Sequence, residues 1–318
     1  IMSIMIIQVL LFIFGLILLV KGADWLVEGA SDLARKFNVS DLIIGLTIVA
    51  FGTSAPELVV NIFAQLKNHP DIVFGNIIGS NNFNIFVILG LAGVMSPLVV
   101  QSRTVWKEIP ISFAAVLILL FLTNDFGAEN QVLTGWEGVF LLALFILFLI
   151  YVYKQLKIER SKMFYNQKSK PAFKIGGLIT FGLAGLVFGS RFLVSGSIEI
   201  AEYLGVSEKI IGLTIVAAGT SLPELATSIV AALKNKNDIA VGNIIGSNIF
   251  NIFLILGVCA IIRPIPFKSV FNGDLFLLSG GTIFLFIAMF TGQKRKLDRW
   301  EAATLIVTYI GYMVILLF

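Results

Sequence analysis

Residues 39–97 of this 318-residue chain return at 206–264 without a gap, and 38 of the 59 aligned positions are identical. A duplication this close constrains the fold first, because whatever one copy builds the other builds too. Both copies are strongly apolar. Runs of about 20 apolar residues, each long enough to cross a bilayer as a helix, also recur through the rest of the chain. Helices are expected at 5–34, 41–65, 71–95, 104–122, 135–153, 173–204, 207–232, 237–262, 272–290 and 297–317. Turn-forming stretches such as "NVSD" (38–41), "KNHPD" (67–71) and "FNGD" (271–274) separate them. The likeness persists more weakly upstream, where "GLILLVKGADWLVEG" (15–29) matches "GLAGLVFGSRFLVSG" (182–196). Each half therefore holds five spans, and an odd number sends the second half into the membrane in the opposite sense. The expected architecture is an all-α integral membrane protein of ten transmembrane helices, built as two inverted five-helix repeats. Discontinuous helices 2/3 and 7/8 would form an ion site near the midplane. The first repeat is 1–153, the linker 154–172 and the second repeat 173–318.

Composition agrees. Hydrophobic residues make up 58% of the chain and charged residues 13%, about half the usual charged share of soluble domains, which excludes soluble and disordered readings. The net charge of +4 does not point to nucleic acid, because the basic residues sit in loops beside apolar spans, where they face anionic lipid. The joining loop carries Lys154, Lys157, Arg160, Lys162, Lys168, Lys170 and Lys174. Placing it in the cytoplasm puts 17 Lys/Arg in inner loops and 4 in outer loops. This bias predicts an orientation with both chain ends outside, and the expected location is the plasma membrane. The first 20 residues lack a basic leader region and belong to the repeat, so no cleaved signal peptide is expected. Cys259 is the sole cysteine and His69 the sole histidine, so an intrachain disulfide and a zinc site of His or Cys ligands are excluded.

The polar residues inside the spans carry the functional reading. Glu57 lies in "GTSAPELVVN" (52–61) and Glu224 in "GTSLPELATS" (219–228). A carboxylate at bilayer depth is costly, so two at equivalent repeat positions mark a shared central site. Pro56 and Pro223 each remove an amide donor, and Gly52 and Gly219 loosen the backbone further. Carbonyls near Ala50–Thr53 and Ala217–Thr220 should therefore lose partners and face protein, water or an ion. The motifs "GNIIGSNNFN" (75–84) and "GNIIGSNIFN" (242–251) place Asn76, Ser80 and Asn84, and likewise Asn243, Ser247 and Asn251, on one helix face at four-residue steps. Asn76, Asn81, Asn243 and Asn248 have interhelical hydrogen bonding as their competing role. The inventory consists of hard oxygen ligands, suited to calcium, sodium or magnesium, and a dry cage favours calcium over magnesium, which keeps its waters. Two glutamates neutralise one calcium or offset two or three sodium ions, a physical basis for exchange. No catalytic His or Cys accompanies them, so an enzyme is not expected.

These paired motifs resemble the two alpha-repeats of the sodium/calcium exchanger family, within the cation/calcium exchanger superfamily. The short joining loop is similar to that of small prokaryotic members. The resemblance implies a potassium-independent sodium/calcium antiporter working by alternating access, with no cofactor. Its partners would be the two transported ions and the bilayer, and it would work as a monomer. It implies calcium ligands Glu57, Glu224, Thr53 and Thr220, with Asn84 and Asn251 nearby. For sodium it implies Ala50, Thr53, Ser54, Glu57, Ser80, Asn84, Ala217, Thr220, Ser221, Glu224, Ser247 and Asn251. The first and sixth helices would slide over the other eight. Potassium-dependent members carry an aspartate where this chain has Asn251, so neither potassium co-transport nor a proton bound there is expected. The alternatives are a calcium/proton antiporter, whose branch differs in these motifs, and a passive cation channel. Lys21, Asp24, Glu28 and Arg191, on the two sliding helices, are read as snorkelling to the interface or pairing locally rather than gating.

Overall fold

The computed structural model describes residues 2–124, 131–160, 170–203, 217–292 and 294–317. Its helices are α1 (Met2–Phe37), α2 (Asp41–Thr53), α3 (Ala55–Leu66), α4 (Pro70–Met95), α5 (Thr104–Thr123) and α6 (Gly135–Arg160). After the joining loop come α7 (Ala172–Tyr203), α8 (Leu222–Leu233), α9 (Asn237–Ile262), α10 (Asn272–Ala288) and α11 (Arg299–Leu317). Among the described residues, eight helices are long and apolar enough to cross a membrane, and the bent pair α2–α3 makes a ninth. The expected seventh span, 207–232, is described from Ala217 onward; its start lies outside the described residues.

Two helices form the centre. In α4 and α9, 72% and 83% of the apolar window is buried, against 17–39% in the other unbroken spans. Small residues make this possible. A Cβ on Gly246 would stand 2.7 Å from the Ala50 Cβ, and one on Gly242 would stand 3.0 Å from the Leu42 carbonyl. Helix α9 of the second half thus packs directly on α2 of the first. Asn68 and Asn235, equivalent in the repeat, both adopt left-handed backbone (φ 61° and 57°). They close α3 and α8 at their C-terminal ends, a role suited to asparagine.

Helices α1 and α7 run antiparallel and almost touch through their backbones. A Cβ on Gly22 would lie 2.7 Å from the Leu186 amide nitrogen, and one on Gly189 would lie 2.6 Å from the Leu19 nitrogen. Lys170, just before α7, pairs with Glu28 and Asp32 of α1. The hydrogen bond to Glu28 first, and Asp32 behind it, raises the Lys170 ammonium above the usual lysine range, so this tie stays charged at neutral pH. Because the obstacle at Gly22 is backbone, Gly22→Ala is expected to force the two helices apart and cost about 1–3 kcal/mol. A lowered melting temperature in detergent checks this. Gly176→Ala, where a Cβ would meet nothing within 4 Å, is the matched control and should melt no lower than the parent.

Polar contacts between loops fall into two sets that share no residue. One joins Asp41 to Lys236 (3.0 Å), Gln101 to Asp238 (2.6 Å), and Arg103 (2.7 Å) and the Ser40 amide (2.8 Å) to Glu159. Strands β1 (Leu98–Val99) and β4 (Lys296–Leu297) pair antiparallel at this end. The other set joins Asp71 to Lys268 (2.5 Å) and Asn68 to Arg263 (2.8 Å). It includes the antiparallel pair β2 (Val132–Leu133) and β3 (Ile265–Pro266). These are the two ends of the bundle.

Candidate ion-binding site

The site is built where α4 and α9 cross. Asn81 donates its Nδ2 to the Asn248 carbonyl (3.3 Å), and Asn248 donates to the Asn81 carbonyl (3.4 Å). The side-chain oxygens of the same two residues accept from Asn251 and Asn84, each at 2.9 Å. Every bond in this bracket has its counterpart 167 residues away. Asn81 and Asn248 take the hydrogen-bonding role that competed with ligation in the sequence reading, and they fix the amides of Asn84 and Asn251. Because those two spend their NH2 groups on the bracket, their Oδ1 atoms point the other way, buried and without a hydrogen-bond partner. Both asparagines lie in short π-helical turns, Phe83–Ile88 and Phe250–Ile255, a local widening common at functional sites.

The carboxylates come from the first turns of α3 and α8, directly after the breaks. Ser54 (φ −82°, ψ 1°) and Ser221 (φ −90°, ψ 6°) leave helical geometry, and α2 meets α3 at a 44° bend. Glu57 and Glu224 are each 1% exposed. Each is held by a serine of the opposite half: Ser221 Oγ donates to Glu57 Oε1 at 3.4 Å, and Ser54 Oγ lies 3.0 Å from Glu224 Oε1. Ser247 completes a triangle, 2.9 Å from Ser54 Oγ and 3.4 Å from the same Glu224 oxygen. Its counterpart Ser80 makes no such bond, and its buried Oγ has no partner; the same holds for Oε2 of Glu57 and of Glu224. Buried oxygens without a partner thus stand on Glu57, Glu224, Ser80, Asn84 and Asn251, and α3 and α8 pack against the π-helical turns that hold Asn251 and Asn84. Leaving such groups unpaired is costly, so the arrangement suits a bound cation.

The threonines are clamped symmetrically. Thr53 Oγ1 donates to Asn243 Oδ1 at 3.0 Å, and Asn76 Nδ2 donates to Thr220 Oγ1 at 3.2 Å. Asn76 is held by Asn61 (2.7 Å) and Asn243 by Ser228 (3.1 Å). Asn61 and Ser228 escaped the sequence reading. Their signal was present: both are polar, at equivalent repeat positions, one helical turn after a central glutamate. The Ala50 carbonyl departs from the expectation of a freed acceptor. It accepts the Ser54 amide at 3.0 Å and Thr53 Oγ1 at 3.3 Å, because the chain bends only after Ser54 and this helical bond survives. In the second copy the Ser221 amide instead reaches Ala218 at 3.2 Å, one residue tighter than the equivalent bond to Ala217. Among the described residues no three His, Cys, Asp or Glu side chains cluster as a metal site, so a cation here relies on two carboxylates plus neutral oxygens.

The sequence matches the sodium/calcium exchanger protein family over residues 7–154 and 174–318. The chain belongs to the sodium/calcium exchanger family. This is a family of transporters rather than enzymes. The chain is 39% identical to the "Putative antiporter CaxA" of Alkalimonas amylolytica, over 98% of this chain and 99% of that one. It is 33% identical to the "Sodium/calcium exchanger MaX1" of Methanosarcina acetivorans, over 97% and 98%. A solved structure of the sodium-calcium exchanger NCX_Mj, soaked with sodium and strontium, superposes with a TM-score of 0.82 at 34% identity, covering 98% of each chain. In this exchanger-family chain, the unpartnered oxygens of Ser80, Asn84 and Asn251 lie on its two most buried helices, and those of Glu57 and Glu224 on α3 and α8.

Proposed function

We propose that the protein is a potassium-independent antiporter that exchanges sodium for calcium by alternating access. One observation carries the reading: the helices of two buried carboxylates, Glu57 and Glu224, pack against the π-helical turns that hold Asn251 and Asn84, and all four residues keep a buried side-chain oxygen without a partner. Calcium takes six to eight oxygen ligands in irregular geometry, and this is the kind of set assembled. Glu57 and Glu224, with the carbonyls of Thr53 and Thr220, are the calcium ligands. Ser80 and Ser247, with Ala50, Ala217, Ser54, Ser221, Asn84 and Asn251 around them, serve the sodium ions. One calcium or several sodium ions balance the same two charges, so the two loads compete.

In this reading the chain has ten spans in two inverted halves and works as a monomer in the plasma membrane. The end holding Asp41, Glu159 and Lys236 faces the cytoplasm. The basic joining loop supports that orientation, since its Lys154, Lys157 and Lys170 fall at this end. The α1–α7 unit is the moving part, and its glycine-lined contact is suited to travelling as one body. Proteoliposomes loaded with sodium and diluted into sodium-free calcium buffer should take up calcium, and collapsing the sodium gradient should stop the uptake. Uptake that ignores the sodium gradient but follows an imposed pH gradient would replace this reading with calcium/proton exchange. Uptake needing neither gradient would make the protein a channel.

A further inference from the structure

The α1–α7 unit is tied internally by glycine contacts and by Lys170 on Glu28 and Asp32. Among the described residues a single ion pair joins this unit to the rest of the bundle: Asp24 of α1 with Lys234, the residue that closes α8. The repeat offset maps Asp24 onto Arg191 of α7, and Lys234 onto Lys67, the residue that closes α3. The symmetry-related contact at the opposite end would therefore bring together two cations. In this structure Arg191 and Lys67 have no ion-pair partner among the described residues. Arg191 instead lines a cavity of about 510 Å³ between α7 and α3, with Pro56, Val60 and Thr220 on its walls.

We infer that Asp24 and Lys234 form a one-sided latch that sets which face of the bundle the site opens to. The pair holds the α1–α7 unit down at the cytoplasmic end, where Lys234 lies, and so keeps the cavity at the other end open toward Thr220. This rests on the proposed sliding of that unit. A slide of one helical turn toward the other end pulls Asp24 off Lys234 and moves Arg191 toward Lys67. The first change loses an attraction and the second adds a repulsion. The inverted halves are thus equal in backbone and unequal in charge, and the exchanger rests on one side. The side chains of Asp24 and Lys234 are 36% and 38% exposed, so breaking the pair is worth no more than about a fivefold change in population.

Labelling of a single cysteine tests this without requiring transport. In full-length protein carrying Cys259→Ala and Val60→Cys, a charged maleimide added in detergent reads how often the cavity is open. Asp24→Asn and Lys234→Gln are each expected to slow labelling about two- to fivefold. The swapped pair Asp24→Lys with Lys234→Asp should restore the parent rate. Lys67→Glu, which offers Arg191 a partner, should also slow labelling, and Arg191→Gln added to it should return the rate. Parent-rate labelling in both single variants overturns the latch. A swapped pair that melts like the parent yet labels as slowly as the singles overturns it as well. Sodium-driven calcium flux measured on the same variants separates the two ideas: absent flux with slowed labelling removes the exchanger reading alone, whereas normal flux with unchanged labelling removes the latch alone.

Discussion

Glu57→Gln is expected to abolish calcium transport, and Glu224→Gln to do the same. Each substitution keeps the shape of the side chain and an acceptor oxygen, so Ser221 or Ser54 still has its partner. What disappears is one of the two buried charges, each 1% exposed to solvent, that would face a divalent ion in the proposed site. Removing one partner of a buried, paired charge costs about 3–5 kcal/mol, which is more than about 100-fold in calcium affinity. Two measurements separate lost binding from lost folding. Calcium at 100 times its dissociation constant should stabilise the parent by about 2.7 kcal/mol and leave either variant's melting temperature unmoved. Without ions, both variants should melt no lower than the parent, because a buried charge has been replaced by a neutral amide. Calcium uptake within a few-fold of the parent in either variant would sink the assignment of these carboxylates.

The duplication made much of this site legible before any coordinates. Glu57 and Glu224 stand out because a carboxylate after a proline in an apolar run is costly at bilayer depth, and its recurrence 167 residues later outweighs a purely structural hydrogen-bonding role. The same logic found Ser80, Asn84 and their counterparts through four-residue spacing. It did not reveal which asparagines hold others and which are left facing inward, because Asn81 and Asn84 differ only in where a π-helical turn aims them. Nor did it show the asymmetry at Ser247, which closes on Ser54 and Glu224 while Ser80 does not. Both copies carry the same serines and glutamate at these positions, so the sequence alone does not distinguish them. The Ala50 carbonyl was misjudged for a related reason. Proline deletes the hydrogen bond four residues before it, to Gly52, and leaves the bond from Ser54 to Ala50 intact. The end expected at 65 falls within one residue of the end of α3, where "KNHPD" begins and Asn68 takes left-handed backbone.

Asn251→Asp is expected to change the ion dependence of the exchanger. Asn251 now donates to Asn81 Oδ1 at 2.9 Å and leaves its own Oδ1 unpartnered. An ionised aspartate has no donor, so two acceptor oxygens would face each other at that distance. Either Asn81 turns its amide, giving up its bond to the Asn248 carbonyl, or a cation or proton enters between them. The site charge rises in magnitude from two to three, which one calcium no longer balances. A protonated aspartate, by contrast, restores the donor and the original charge. Flux by the variant should therefore resemble the parent at acid pH and fall at least about tenfold as the carboxyl ionises at alkaline pH, one lost charge-assisted contact being worth about 1.5–3 kcal/mol. Potassium, as an added cation, should recover part of that loss, whereas the parent should not respond to potassium. Sodium-driven calcium uptake across a pH series, with and without potassium, reads both effects. A pH and potassium profile identical to the parent's would mean that Asn251 stands outside the ion cage and serves the helix crossing alone.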